Sequence, residues 1–138
     1  EHYSPGAAGN VAANLRAIGC KEVYMCSVLG DDWRGELLKN ELRKQHIDLT
    51  YALTSELWST PSYCKPIRIG LQDVRQEDAR LDFQNYAPLD SALSDRLIEQ
   101  LDLMAEQVDV IAVTDQLKHG VIGDRVRERV TEWKKSCS

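Results

Sequence analysis

Hydrophobic and polar positions follow two rhythms along this chain. Val11, Leu15 and Ile18 lie three and four apart among alanines, which predicts a helix over about 9–18, with Gly19 suited to the left-handed residue past its end. From Val23 the run VYMCSVLG is apolar without alternation, the look of a strand covered on both faces in a parallel sheet. The turn GDD follows, and Asp31 or Asp32 can cap a second helix carrying Leu38, Leu42 and Gln45, its stripe widened by Leu37. The order is then helix, strand, helix.

The rhythm changes in the middle. Ile67, Ile69 and Leu71 alternate with Arg68, Gly70 and Gln72. After a polar turn DVRQED, Ala79, Leu81 and Phe83 alternate with Arg80, Asp82 and Gln84. Two half-exposed strands of this kind fit poorly into a doubly covered parallel sheet. They predict a projecting flap whose apolar face needs a cover, either a ligand or a second subunit. Beyond it, Ser91 can cap a helix bearing Leu93, Leu97, Leu101 and Met104, followed by the apolar strand VDVIAV and a last helix with Val126, Val130 and Trp133. Helices alternating with buried strands imply an α/β fold with parallel order. No internal repeat, low-complexity run or linker interrupts it, so the 138 residues are expected to form a single domain.

Composition narrows the function classes. With 43% hydrophobic and 28% charged residues, the chain has the make-up of an ordinary globular domain. A formal net charge of −5 disfavours nucleic acid and anionic membrane as partners. The apolar stretches are far shorter than the roughly 20 residues that span a bilayer, and no signal-like segment opens the chain, so the expected location is cytoplasmic. Cys20, Cys26, Cys64 and Cys137 form no CxxC pair, which disfavours structural zinc and predicts free thiols, buried at Cys20 and Cys26.

Ligands of open parallel sheets gather outside the carboxyl ends of the strands. The polar segments GAAGN, GDDWRG and TDQLKHG map there or close by. Gly6, Gly9 and Asn10 read either as a turn and cap or as a backbone cradle, since glycine admits close approach and an asparagine amide can both donate and accept. Asp31 and Asp32 read most simply as caps. Thr114 and Asp115 close a strand, where side chains meet ligands, whereas Lys118 and His119 read as solvated loop residues. Arg68 and Arg80 either bind a phosphate or keep an edge strand soluble. GxxxxGK[ST], GxGxxG and GxSxG are all absent, and His2, His46 and His119 are far apart in sequence with no evident serine or cysteine partner.

In combination these segments resemble the ribokinase or PfkB family of sugar kinases. PGAAGNVAANLRAIG is similar to its glycine-rich sugar-binding stretch, and VYMCSVLGDDWRGELLKNELRKQHID to the next strand, G-x-D-x-x-G turn and helix. STPSYCKPIRI and DARLDF resemble its lid strands, and DVIAVTDQLKHGVI its strand and polar loop ending in GV. The flavour is that of the subgroup that includes heptose-phosphate kinases. The resemblance implies part of a ribokinase-like α/β/α sandwich, its sheet mainly parallel, with a small β lid built from strands at about 51–54, 63–72 and 78–84. The implied activity is transfer of the ATP γ-phosphate to a hydroxyl of a sugar or sugar phosphate, with ATP and Mg2+ as the family's cofactors.

Gly6, Ala7 and Asn10 would line the sugar site, Arg68 and Arg80 would close over it from the lid, and Asp115 would stand at the strand end. Ala7 departs from the family's second glycine, and the loop Gln116–His119 from its DY-x-KG form. The family's GxGD motif, source of the catalytic aspartate, and its ATP-binding loops find no match in these 138 residues; GVIGD at Gly120 has the wrong spacing. Phosphoryl transfer depends on positioning and charge stabilisation, so the chain alone is expected to be inactive and to bind ATP and Mg2+ at most weakly. The rival expectation is a non-catalytic sugar-binding module, or one that forms a homodimer through the lid strands.

Overall fold

The computed structural model describes residues 2–136. Helix α1 (Gly6–Ala17) starts ahead of its expected position, so Gly6 and Gly9 lie inside the helix rather than in a turn before it. Its end is as expected. Gly19 has φ +103°, its N–H bonds to the Arg16 carbonyl at 3.1 Å, and the Cys20 N–H bonds to that of Leu15 at 3.1 Å, the pairing of a Schellman motif. The buried face differs from the apolar spacing. Ile18 is 78% exposed, whereas Gly9 and Ala12 are buried. Small residues there admit α2 (Trp33–Lys44): a Cβ added to Gly9 would stand 3.2 Å from Leu42 Cδ2.

The VYMCSVLG run is a strand only at its end. Strand β1 (Ser27–Gly30) pairs in parallel with β2 (Ala52–Ser55), from Ser27 opposite Ala52 to Gly30 opposite Ser55. Tyr24 adds a single parallel bridge to Asp48. The chain passes from β1 through α2 into β2, the crossover that a parallel pair requires. Of residues 51–54, expected as a lid strand, Ala52, Leu53 and Thr54 therefore pair beside β1 in this sheet. Side chains alternate between two apolar clusters. Tyr24, Cys26 and Val28 face one that includes Trp58, and Val23 and Met25 face the other, with Ala12, Leu42 and Ile47. Helices thus pack on both faces of the β1–β2 pair.

Residues 61–84 form a separate arm. Strand β3 (Ser62–Cys64) pairs antiparallel with β6 (Leu81–Phe83), and β4 (Ile67–Ile69) with β5 (Arg75–Glu77). The expected turn DVRQED contributes β5 instead, and the chain reverses earlier, in a 3-10 turn at Leu71–Asp73. Gln72 and Asp73 take positive φ there, and the Gly70 N–H bonds to the Val74 carbonyl at 2.9 Å. Lys65 and Pro66 separate β3 from β4, and since proline has no N–H to give to a ladder, the ladder of one long hairpin is cut into two short segments.

Helix α3 (Ser91–Ala105) is capped by Asp90 rather than Ser91, its carboxylate accepting from the Leu93 N–H at 2.7 Å. Leu93, Leu97, Leu101 and Met104 are all buried, as their spacing predicts. Helix α4 (Asp124–Ser136) buries Val126 against the same cluster, and Arg125 and Arg129 pair with Asp95 and Asp102 of α3. The expected strand VDVIAV makes no ladder. Val108 and Ile111 pack on the core while Val110 is 82% exposed, so the segment is irregular and covered on one side, without the pairing that a doubly covered strand requires.

Candidate functional site

The glycine-rich stretch opens α1 without a lid of its own. Gly6 has φ +70° and nothing within 4 Å of where its Cβ would be. Pro5, at the N-cap, supplies no side-chain hydrogen bond to the first turn, and Ala7 and Asn10 are exposed. The Asn10 amide oxygen accepts from Ser4 Oγ at 3.4 Å. Backbone donors of a first helical turn have no partner within the helix, and the N-cap residue here, Pro5, gives them no side-chain acceptor.

The other sequence-predicted residues lie elsewhere, each in a local ion pair. Arg68 donates to both carboxylate oxygens of Asp78, at 3.0 and 3.2 Å. Arg80 bonds Asp82 at 2.8 Å and lies 4.7 Å from the Tyr63 ring centre; the bond to Asp82 and its charge raise the guanidinium's pKa still further above neutrality. Asp115 accepts from Arg127 at 2.7 Å. Among the described residues, no hydrogen bond or ion pair joins any two of Gly6, Ala7, Asn10, Arg68, Arg80 and Asp115.

The G-x-D-x-x-G turn is where the polar geometry concentrates. Asp32 caps α2, accepting from the Gly35 N–H at 2.7 Å, and its second oxygen accepts from the Thr60 N–H at 2.9 Å. Thr60 Oγ1 accepts from the Gly30 N–H at 2.9 Å, and the Thr60 carbonyl accepts from Arg34 Nε at 3.2 Å. Burial acts to raise the Asp32 carboxyl, but the hydrogen bonds from Thr60 and Gly35 and the charge of Arg34 outweigh it and hold the group below its ordinary value. Both glycines are required by the crossing. A Cβ on Gly30 would stand 2.5 Å from the Trp58 carbonyl oxygen, and one on Gly35 would stand 2.2 Å from that of Gly30.

The chain returns from the arm at Asn85, whose amide donates to the Ser59 carbonyl at 2.9 Å and accepts from the Ser59 N–H at 3.2 Å. Sequence reasoning gave Asp32 only a capping role and missed Arg34, Thr60 and Asn85. Their signal was faint, a threonine before Pro61 and an asparagine after the alternating strand, because their partners lie some 26–30 residues away in sequence. Among the described residues no three His, Cys, Asp or Glu side chains are grouped to hold a metal ion, and no helix is long and apolar enough to cross a membrane. Neither a GxGD motif nor a GxxxxGK[ST] loop occurs among the 138 residues.

The profile of the pfkB family of carbohydrate kinases matches residues 1–112. The chain belongs to that family. It is 29% identical to the bifunctional protein HldE of Helicobacter hepaticus over 138 residues, all of this chain and 27% of that protein. It is 32% identical to HldE of Trichlorobacter lovleyi over 126 residues, 91% of this chain and 24% of the relative. Identity to HldE of Geotalea uraniireducens is 33% over 125 residues, again 91% and 24%. The chain thus spans about a quarter of the length of these curated relatives. They agree with the resemblance to the subgroup that includes heptose-phosphate kinases.

Proposed function

We propose that this chain is the sugar-side part of a cytoplasmic, ATP-dependent sugar or sugar-phosphate kinase with a ribokinase-like α/β/α sandwich, and that the 138-residue polypeptide alone does not transfer phosphate. The family match over residues 1–112 carries this reading. The uncapped start of α1 suits it, because first-turn N–H groups and the helix dipole favour an anionic or hydroxyl-bearing ligand. Gly6 and Ala7 let the ligand approach the backbone, and the Asn10 amide bonds a sugar hydroxyl. Arg68 meets Asp78 through Nη2, Arg80 meets Asp82 through Nε and Nη2, and Asp115 meets Arg127 through Oδ2, so a sugar or its phosphate would use their other atoms or displace these pairs.

The test is ATP turnover by the purified chain against a panel of sugars and sugar phosphates with magnesium present, paired with calorimetric titration of the same panel. Binding without turnover is the expected result. Sugar-dependent turnover would refute the claim of inactivity, and absence of any binding would refute the sugar-side assignment. A second reading, a module that dimerises through the arm, is favoured by one observation: Ile67, Ile69, Leu81 and Phe83 are all exposed on it, and such faces tend to find partners.

A further inference from the structure

The arm has little packing of its own to aim it. Of the residues in β3, β4, β5 and β6, every one except Ser62 is exposed. Its direction is therefore set where it joins the body. The outgoing leg is pinned at Thr60, 2% exposed, whose N–H, hydroxyl and carbonyl all bond to the turn between β1 and α2. The returning leg is pinned at Asn85 to Ser59, which lies outside the arm between the buried Trp58 and Thr60, so both legs are held at the same anchored segment. Both clamps lie at the base of the arm, and neither of them touches its strands.

One side chain of the body reaches past the base to a strand of the arm. Arg34, in the first turn of α2, donates from Nε to the Thr60 carbonyl at 3.2 Å and lies 3.5 Å from Asp32, with its side chain only 19% exposed. The same guanidinium lies 5.0 Å from the ring centre of Phe83, the last residue of β6, and 5.4 Å from that of Trp33. A planar guanidinium can hold in-plane hydrogen bonds and offer its face to an aromatic ring at once, which a lysine ammonium on a flexible stem does not match. Bonded to Thr60 at the arm's base and in contact with Phe83 on the arm, Arg34 is placed to set the arm's direction.

We propose that Arg34 is a positioning residue that fixes the direction of the β arm relative to the β1–β2 sheet through its contact with Phe83, and so the side from which the arm meets substrate. Only the clause about substrate rests on the sugar-kinase reading. The geometric claim is tested without nucleotide or sugar, so a failed activity assay does not bear on it.

The measurement is backbone 1H–15N residual dipolar couplings of the full chain in a dilute aligning medium. In the unaltered chain, one alignment tensor is expected to fit both α3 and the arm residues 62–83. In Arg34→Gln the arm couplings are expected to shrink toward zero while those of α3 persist, and Arg34→Lys is expected to restore only part of the loss. Phe83→Leu, which removes the ring from the exposed arm and spares the core, is expected to reproduce the Arg34→Gln result and serves as the test if Arg34→Gln does not fold. Trp33→Leu, whose ring is not on the arm, is expected to leave the couplings unchanged. A common tensor for arm and α3 in Arg34→Gln or in Phe83→Leu would overturn the proposal.

Discussion

The body around α3 and the arm at residues 61–84 use similar apolar residues to opposite ends. On α3, Leu93, Leu97, Leu101 and Met104 are all buried in one cluster with Val28 of β1 and Val126 of α4. On the arm, Tyr63, Ile67, Ile69, Leu81 and Phe83 alternate with polar residues just as regularly, yet each stays more than two-fifths exposed. A hydrophobic pattern thus states which face seeks cover, and only a neighbouring element makes that face a core. The body gains its order from burial; the arm gains its order from ladder hydrogen bonds and from polar contacts at its base.

The widest gap between the two regions should appear in stability. Leu97→Ala, at a site 1% exposed, is expected to cost about 2–5 kcal/mol in urea unfolding. Ile69→Lys, at a site 62% exposed, is expected to stay within about 0.5 kcal/mol and, on the reading that the arm dimerises, to weaken self-association in sedimentation. Comparable stability losses at the two sites would show that the arm has a core of its own, and an unchanged sedimenting mass would remove the case for dimerisation through it.

The junction should respond to acid in a way neither region does alone. Asp32 has its carboxyl held below the ordinary value of 3.8 in the folded chain, so its contribution to stability is fully present above that value. The contribution is lost as pH falls through the lower, folded value, where the protonated acid can no longer serve Thr60 and Gly35 as an anion. Asp32→Asn is expected to flatten the acid limb of stability in urea titrations carried from about pH 5 down past 3.8, at a neutral-pH cost of about 1–3 kcal/mol, since asparagine still caps Gly35 but turns an amide NH2 toward the buried Thr60 N–H. An acid limb as steep as that of the unaltered chain would assign the acid sensitivity to other carboxylates.

The smallest contrast is between thiols. Burial pushes the Cys26 thiol up to about 12, which leaves almost no thiolate at neutral pH, while Cys64 is exposed on β3. A disulfide reagent is expected to modify Cys64 promptly and Cys26 only after denaturant is added. Equal rates would mean that the body opens as readily as the arm.

Legibility in the sequence followed the range of the interaction. α3 was readable because its apolar stripe repeats every turn and all of that stripe is buried. The buried face of α1 was not, because it is made of Gly9 and Ala12, whose small size matters through the approach of Leu42 and leaves no mark in a hydrophobic pattern. VDVIAV looks like β1 in composition, and what separates them is a ladder partner, which no local pattern encodes. At the candidate site, the sequence flagged Gly6, Asn10, Arg68, Arg80 and Asp115 one at a time and Asp32 as a cap. The convergence of Asp32, Arg34 and Thr60 depends on a chain crossing some 28 residues later, and Gly30 and Gly35 mark that crossing only once the carbonyls beside them are seen.

The 3-10 turn at the far end of the arm has a practical corollary. Leu71 there is 93% exposed, Gln72 and Asp73 already hold positive φ, and one hydrogen bond from Gly70 to Val74 closes the loop. Each doubling of a flexible loop adds only about 0.6 kcal/mol of closure entropy. An epitope, a protease cleavage sequence or a fluorophore-binding peptide grafted between Gln72 and Asp73 would extend a reversal far from the α3 core, which makes the tip a natural attachment point for reporters.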